Sequence, residues 1–167
     1  MQIDTTAFDI NSLDDEIRVD ERCKELLSGY YQSLLDAGLS PAEATLLANG
    51  ADYYVRDFVV GARQRNLFAE QPGIVRQFAG NWYIVNTLEP SLEVLSGYLR
   101  GVADFYGHLH RLGLITEAFA ERMADECADI AFYGERLEAF WEITGDGYHA
   151  WERACSLRDE NGEVRGG

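Results

Sequence analysis

The chain has 167 residues, with 29 Asp and Glu against 14 Lys and Arg, a formal net charge of −15. Hydrophobic residues make up 47% and charged residues 26%, a globular balance rather than a disordered one. The charge speaks against non-specific nucleic-acid binding and against anchoring on anionic lipid, and no apolar run approaches the ~20 residues of a spanning helix.

The first residues carry neither a basic n-region nor an apolar h-region and do not read as a signal peptide. Cys23, Cys127 and Cys155 are far apart and form no Cys-x-x-Cys pair. A disulfide framework or structural zinc is therefore not expected, and the expected compartment is the cytoplasm. Residues 1–36 carry net −6 and residues 116–167 net −8, whereas residues 51–81 carry net +1. This pattern suggests a nearly neutral helical core between acidic ends.

Apolar spacing of three and four predicts helix almost throughout. Ser12 is placed to cap a first helix, with Asp14, Asp15 and Glu16 in its first turn, and Gly38 to stop it. Leu13, Ile17, Cys23, Leu27, Tyr30 and Leu34 mark its expected buried face. Ser40-Pro41-Ala42-Glu43 is the clearest start signal in the chain. The second helix presents Leu47, Ala51, Tyr54, Phe58 and Ala62, and ends near Arg65-Asn66. Pro72 opens a third helix with Val75, Phe78, Trp82 and Val85 on its apolar side. Pro90 opens a fourth, whose Leu92, Leu95, Leu99, Val102, Tyr106 and Leu109 form a heptad-like seam. Thr116 caps a long fifth helix to about Ile143, with Phe119, Met123, Cys127, Ile130, Leu137 and Trp141 inward. After a turn at Gly145-Asp146-Gly147, a short helix reaches about Leu157, with Trp151 and Cys155 inward. The expected fold is an all-α, single-domain bundle of five or six helices with short loops over 1–157, followed by a flexible tail over 158–167.

Several features are candidates for chemistry. Asp104 and His108 stand four apart on one face of the fourth helix, a carboxylate and an imidazole suited to a metal or a general base. The Glu-x-x-His pairs of a di-iron bundle are absent. Glu121, Asp125 and Asp129 form an acidic row at i, i+4 and i+8, able to hold a divalent cation or an arginine-rich partner, or simply to face solvent. No cofactor is expected; a divalent metal is the alternative. Arg56, Arg63, Arg65 and Arg76 are the one basic concentration, suited to an anion or to self-association. Gly97 and Gly101 allow close backbone approach, and with Tyr98, Phe105 and Tyr106 they define an expected groove.

No nucleophile elbow, phosphate-binding glycine loop, Cys–His motif or dinucleotide fingerprint is present. The segment Leu88-Glu89-Pro90-Ser91-Leu92 resembles the Glu-Pro-containing motif of cytoplasmic maturation chaperones for redox enzymes, which are likewise all-α and acidic. The Asp-His that usually follows is missing. Three readings follow. The first is a non-catalytic protein-binding module (adaptor, regulator or dedicated chaperone) with a protein partner or a second copy of itself, neither binding nucleic acid directly nor touching a membrane. The second is a ligand- or metal-binding protein, or an enzyme, with a pocket between the fourth and fifth helices. The third is an acidic mimic of nucleic acid.

Overall fold

The structure, a computed structural model, describes residues 3–154. The described residues are all helical, without strands, and comprise seven helices after a 3-10 turn at Thr5–Phe8. Helix α1 spans Leu13–Asp36. Helix α2 spans Pro41–Asp52 and runs on as a π-helix over Tyr53–Ala62. Helix α3 spans Ile74–Gln77, widens into a π turn at Phe78–Trp82, and finishes as Tyr83–Asn86. Helices α4 (Leu92–Arg111), α5 (Glu117–Ala128), α6 (Ile130–Trp141) and α7 (Tyr148–Arg153) follow. The tail expected over 158–167 and residues 155–157 of the expected short helix, Cys155 among them, lie outside the described residues.

The start signals work through their hydroxyls. Ser12 accepts from the Asp15 amide (3.1 Å), Ser40 from Glu43 (3.2 Å), Ser91 from Val94 (3.3 Å) and Thr116 from Phe119 (3.1 Å). Each bond satisfies an amide that the helix cannot, typically worth about 1 kcal/mol. Helix α4 begins one residue after its Ser91 cap rather than at Pro90, and α3 begins at Ile74 rather than at Pro72.

Two expectations are corrected. The long helix expected over 116–143 is two helices, which raises the count to seven. Asp129, at φ −80° and ψ +52°, leaves helical geometry and breaks it. The break resets the rotation of α6. Tyr133 and Arg136 become its buried residues, and Trp141 is 61% exposed instead of inward. At the other end of the chain, Leu13 and Ile17 are 70% and 59% exposed. Among the described residues the first turns of α1 are only partly covered on that face, where Leu13 and Ile17 line a hollow with Val60 and Gly61, although Val19, Cys23, Leu27, Tyr30 and Leu34 further along are buried.

The seam on α4 is buried as expected from Leu95 onward, with Leu92 only half-buried: Leu95, Leu99, Val102, Tyr106 and Leu109 are at most 1% exposed. Full burial of such an aliphatic side chain stabilises by about 1.5–3 kcal/mol. Helix α4 packs on α2, α5 and α6, and α1 packs on α2. Closest approach falls between α2 and α4. A Cβ at Gly101 would sit 2.2 Å from the Leu47 carbonyl oxygen, and one at Gly50 would sit 2.7 Å from the Tyr98 Cα. One glycine from each helix makes the crossing possible.

Helices α2 and α3 meet through their π segments. The wider winding shows in bonds from the Arg63 amide to Phe58 O and from the Tyr83 amide to Phe78 O, each five residues back. Aromatic rings fill the interface: Tyr54–Phe78, Phe58–Phe78, Phe58–Trp82 and Tyr53–Trp82 have centroids 5.1, 5.4, 5.4 and 5.5 Å apart. In the adjacent aromatic pairs, Tyr30, Tyr54 and Tyr83 are buried while Tyr31, Tyr53 and Trp82 sit at the edge of the core; Phe105 and Tyr106 are both buried. Buried phenols find acceptors. Tyr106 donates to Leu67 O (2.9 Å) and Tyr133 to Glu126 O (2.5 Å).

Candidate functional site

After α3 ends at Asn86, the chain turns through residues 87–90 before Ser91 caps α4. The Tyr83 hydroxyl fixes this turn from below. It donates to Ser91 O (3.2 Å) and accepts from Ser91 N (3.1 Å). Pro90 is buried, so the turn is anchored at its far end and Leu88 is held outward, 95% exposed. Opposite lies the end of α6. There Phe140 packs on the Trp151 ring at 5.0 Å, and Trp141 points to solvent.

Between the two segments is a cleft of about 420 Å³, lined by Ile84, Val85, Leu88, Pro90, Phe140 and Trp141, with Asn86 and Thr87. Three of its apolar side chains are largely exposed: Leu88, Trp141 and, at 40%, Val85. The flanking charge has one sign. Glu89, Glu93, Glu138, Glu142 and Asp146 are exposed, and residues 77–99 and 137–148 contain no Lys, Arg or His. An apolar cleft on two purely acidic segments attracts cations and apolar surface together.

The residues singled out in the sequence fall elsewhere. Asp104 is half-buried and accepts from the Tyr30 hydroxyl at 2.5 Å. Burial, then the bond to Asp104, raises the Tyr30 pKa well above the ordinary phenol value, so Tyr30 remains a donor. His108 is buried, with its ring against Tyr30 (5.3 Å) and Phe105 (6.5 Å). Burial, aided by the charge of Arg111 and opposed by Asp104, lowers its pKa below the ordinary imidazole value. Among the described residues, no three His, Cys, Asp or Glu side chains come together as a metal ligand set.

Glu121 and Asp125 are exposed on α5, and Asp129 stands at the break after it. Their neighbour Glu126 faces the other way. Its carboxylate accepts from Gly73 N (3.0 Å) and Val75 N (3.1 Å), and so holds the start of α3.

The space beside Gly101 is filled by the α2 backbone, and Phe105 and Tyr106 belong to the core. A Cβ at Gly97 would meet only the Arg100 Nη2, at 3.9 Å. Tyr98 packs on Tyr53 at 5.1 Å.

The four arginines occupy separate environments. Arg56 binds Asp20 (2.9 and 3.3 Å) and Asp52 (3.0 Å), joining α2 to α1. Arg63 lies 5.0 Å over the Phe58 ring and Arg76 lies 4.0 Å over Phe132. Arg65 is exposed, and its charge adds to burial in lowering the Arg63 pKa.

Sequence reasoning missed Arg136, Gly50 and the cleft itself. The signal for the cleft was present. Leu88 sits in a Pro-containing turn between helices, where core packing is rare. The chain matches no protein-family model, no curated protein and no solved structure.

Proposed function

We propose that this chain is a non-catalytic protein-binding module: one helical-bundle domain serving as adaptor, regulator or dedicated chaperone, and operating in the cytoplasm. Its partner docks a short apolar segment flanked by Lys or Arg into the cleft between the 87–90 turn and the end of α6. The observation that carries this reading is the convergence of exposed Leu88, Trp141 and Val85 on one cleft whose flanking segments carry only acids. Trp is a preferred anchor of binding energy, and fixed apolar side chains lose little entropy on docking. The acids select partners by charge and speed association. The likeness of Leu88-Glu89-Pro90 to the redox-enzyme chaperone motif supports the same turn as the working surface.

The test is a titration of the purified chain with synthetic peptides holding a Leu/Phe core between Arg pairs. Control peptides replace Arg with Glu or the core with Ser. The expected result is binding of the basic apolar peptide alone, weakened at least tenfold by Leu88→Ser with Trp141→Ser. Equal binding of the acidic peptide, or binding unchanged in that double variant, overturns the reading. Light scattering on the same sample tests the homodimer alternative, in which a second copy supplies the docked segment.

A further inference from the structure

A second cavity lies on a different part of the molecule, between the 3-10 turn, α1 and the C-terminal end of α4. It measures about 470 Å³, within the range of small-molecule sites. Phe8, Leu26 and Leu112 give it apolar walls. Two polar side chains on its lining keep hydrogen-bonding capacity to spare. His108 is only 9% exposed and makes ring contacts but no hydrogen bond among the described residues. Arg22, half-buried, donates through Nη1 to Ala7 O (2.5 Å) and forms no ion pair among the described residues. An imidazole and a guanidinium with donors to spare on the wall of one largely apolar cavity leave room for an acceptor.

We infer that this cavity binds a small apolar monocarboxylate. The carboxylate accepts from the Arg22 guanidinium, whose planar fork suits it, and from the His108 N–H. The hydrocarbon body covers Phe8, Leu26 and Leu112. Two acids also line the cavity, and they limit the ligand to one negative charge. Asp4 is occupied, accepting from Thr6 N (3.0 Å) and Thr6 Oγ1 (2.7 Å). Glu25 is exposed and repels a second carboxylate. Gly29 forms part of the wall, and a Cβ there would meet nothing within 4 Å. A large side chain at Gly29 meets no protein atom near its Cβ and can extend into the cavity. This inference does not rest on the docking cleft, which shares no residue with the cavity.

Calorimetric titration of the full chain with octanoate, octanol and octylamine tests it. Octanoate is expected to bind one per chain, at least tenfold tighter than the other two. Arg22→Gln weakens it about tenfold or more, as loss of a charge-assisted bond does. Gly29→Phe, with helical content unchanged by circular dichroism, abolishes it, whereas Leu88→Ser with Trp141→Ser leaves it intact. Octylamine binding as tightly as octanoate, octanoate binding unchanged in Gly29→Phe, or no octanoate binding by the native chain each overturns the assignment.

Discussion

Arg136 and Trp151 exchange hydrogen bonds with each other's backbone. The Arg136 Nη1 donates to Trp151 O at 2.7 Å, and the Trp151 Nε1 donates to Arg136 O at 2.9 Å. The guanidinium lies 4.0 Å over the indole ring and also donates through Nε to Gly80 O at 2.9 Å. One buried side chain thus joins α6, α7 and the π turn of α3. Arg136→Met removes the donor from two carbonyls and should cost about 3–5 kcal/mol in urea unfolding. Trp151→Phe removes one bond and should cost about 1–3 kcal/mol. In both variants limited proteolysis should cut first near the Gly145–Gly147 turn, as α7 loses its hold on α6.

The crossing of α2 and α4 separates three glycines by function. Gly50→Ala and Gly101→Ala each drive a methyl group into the backbone of the facing helix. Each should destabilise by about 1–3 kcal/mol, read as a fall in the thermal midpoint. Gly97→Ala, on the same helix as Gly101, meets only the Arg100 Nη2 at ordinary contact distance and should stabilise by about 0.5–1 kcal/mol through helix propensity.

Glu126 holds the start of α3 through two backbone amides. Glu126→Gln keeps the shape but weakens both bonds, and should cost about 1–2 kcal/mol. Glu121→Gln and Asp125→Asn, exposed on the same helix, should change stability by under about 0.5 kcal/mol. Chemical denaturation of the three variants checks the contrast.

His108 links stability to pH. Its folded pKa is lowered below the unfolded value, so the unfolded chain binds the proton more readily. Its contribution is complete above the unfolded value of about 6.5 and is lost as pH falls through the lower folded value. Thermal midpoints measured from pH 8 to pH 5 should fall across that window, and the fall should be shallower in His108→Gln.

Cys23 is fully buried, and burial with the nearby Asp20 pushes its thiol pKa up to about 12. Cys127 is raised in the same direction by burial and by Glu126. Neither thiol should react with iodoacetamide at pH 8 in the folded chain, and both should react in 6 M guanidinium. Mass spectrometry of the digested protein reads each site separately.

The sequence made the helices legible where signals were local and repeated. Ser40-Pro41 and the seam from Leu95 to Leu109 needed no tertiary information, because capping and spacing carry them. Asp129 was illegible because nothing at 127–131 resembles a helix stop; apolar spacing runs through it from Cys127 to Ile130. That one residue turned Trp141 outward and helped to open the cleft. Leu13 and Ile17 carry helical spacing, yet whether a spaced residue is covered depends on neighbours far along the chain. The cleft stayed illegible for a related reason. Asp104, His108 and the acidic row were chosen for residue type, whereas the cleft is built from ordinary Leu, Val and Trp, distinguished only by lacking cover. Arg136 was not legible as a buried residue, since burial of an arginine through carbonyl oxygens leaves no mark in its neighbours.

A π turn accommodates one residue more than the α turn it replaces. Tyr53–Ala62 and Phe78–Trp82 thus hold their rings in register by how many residues the winding contains, as well as by which residues they are. Deleting a single residue from either, with the winding otherwise kept, would swing every later side chain by about 100°. Phe58 and Trp82 would then no longer face each other. Distant descendants of this chain can exchange one aromatic for another across that layer, but they must inherit its spacing, so insertions and deletions there should be rarer than substitutions.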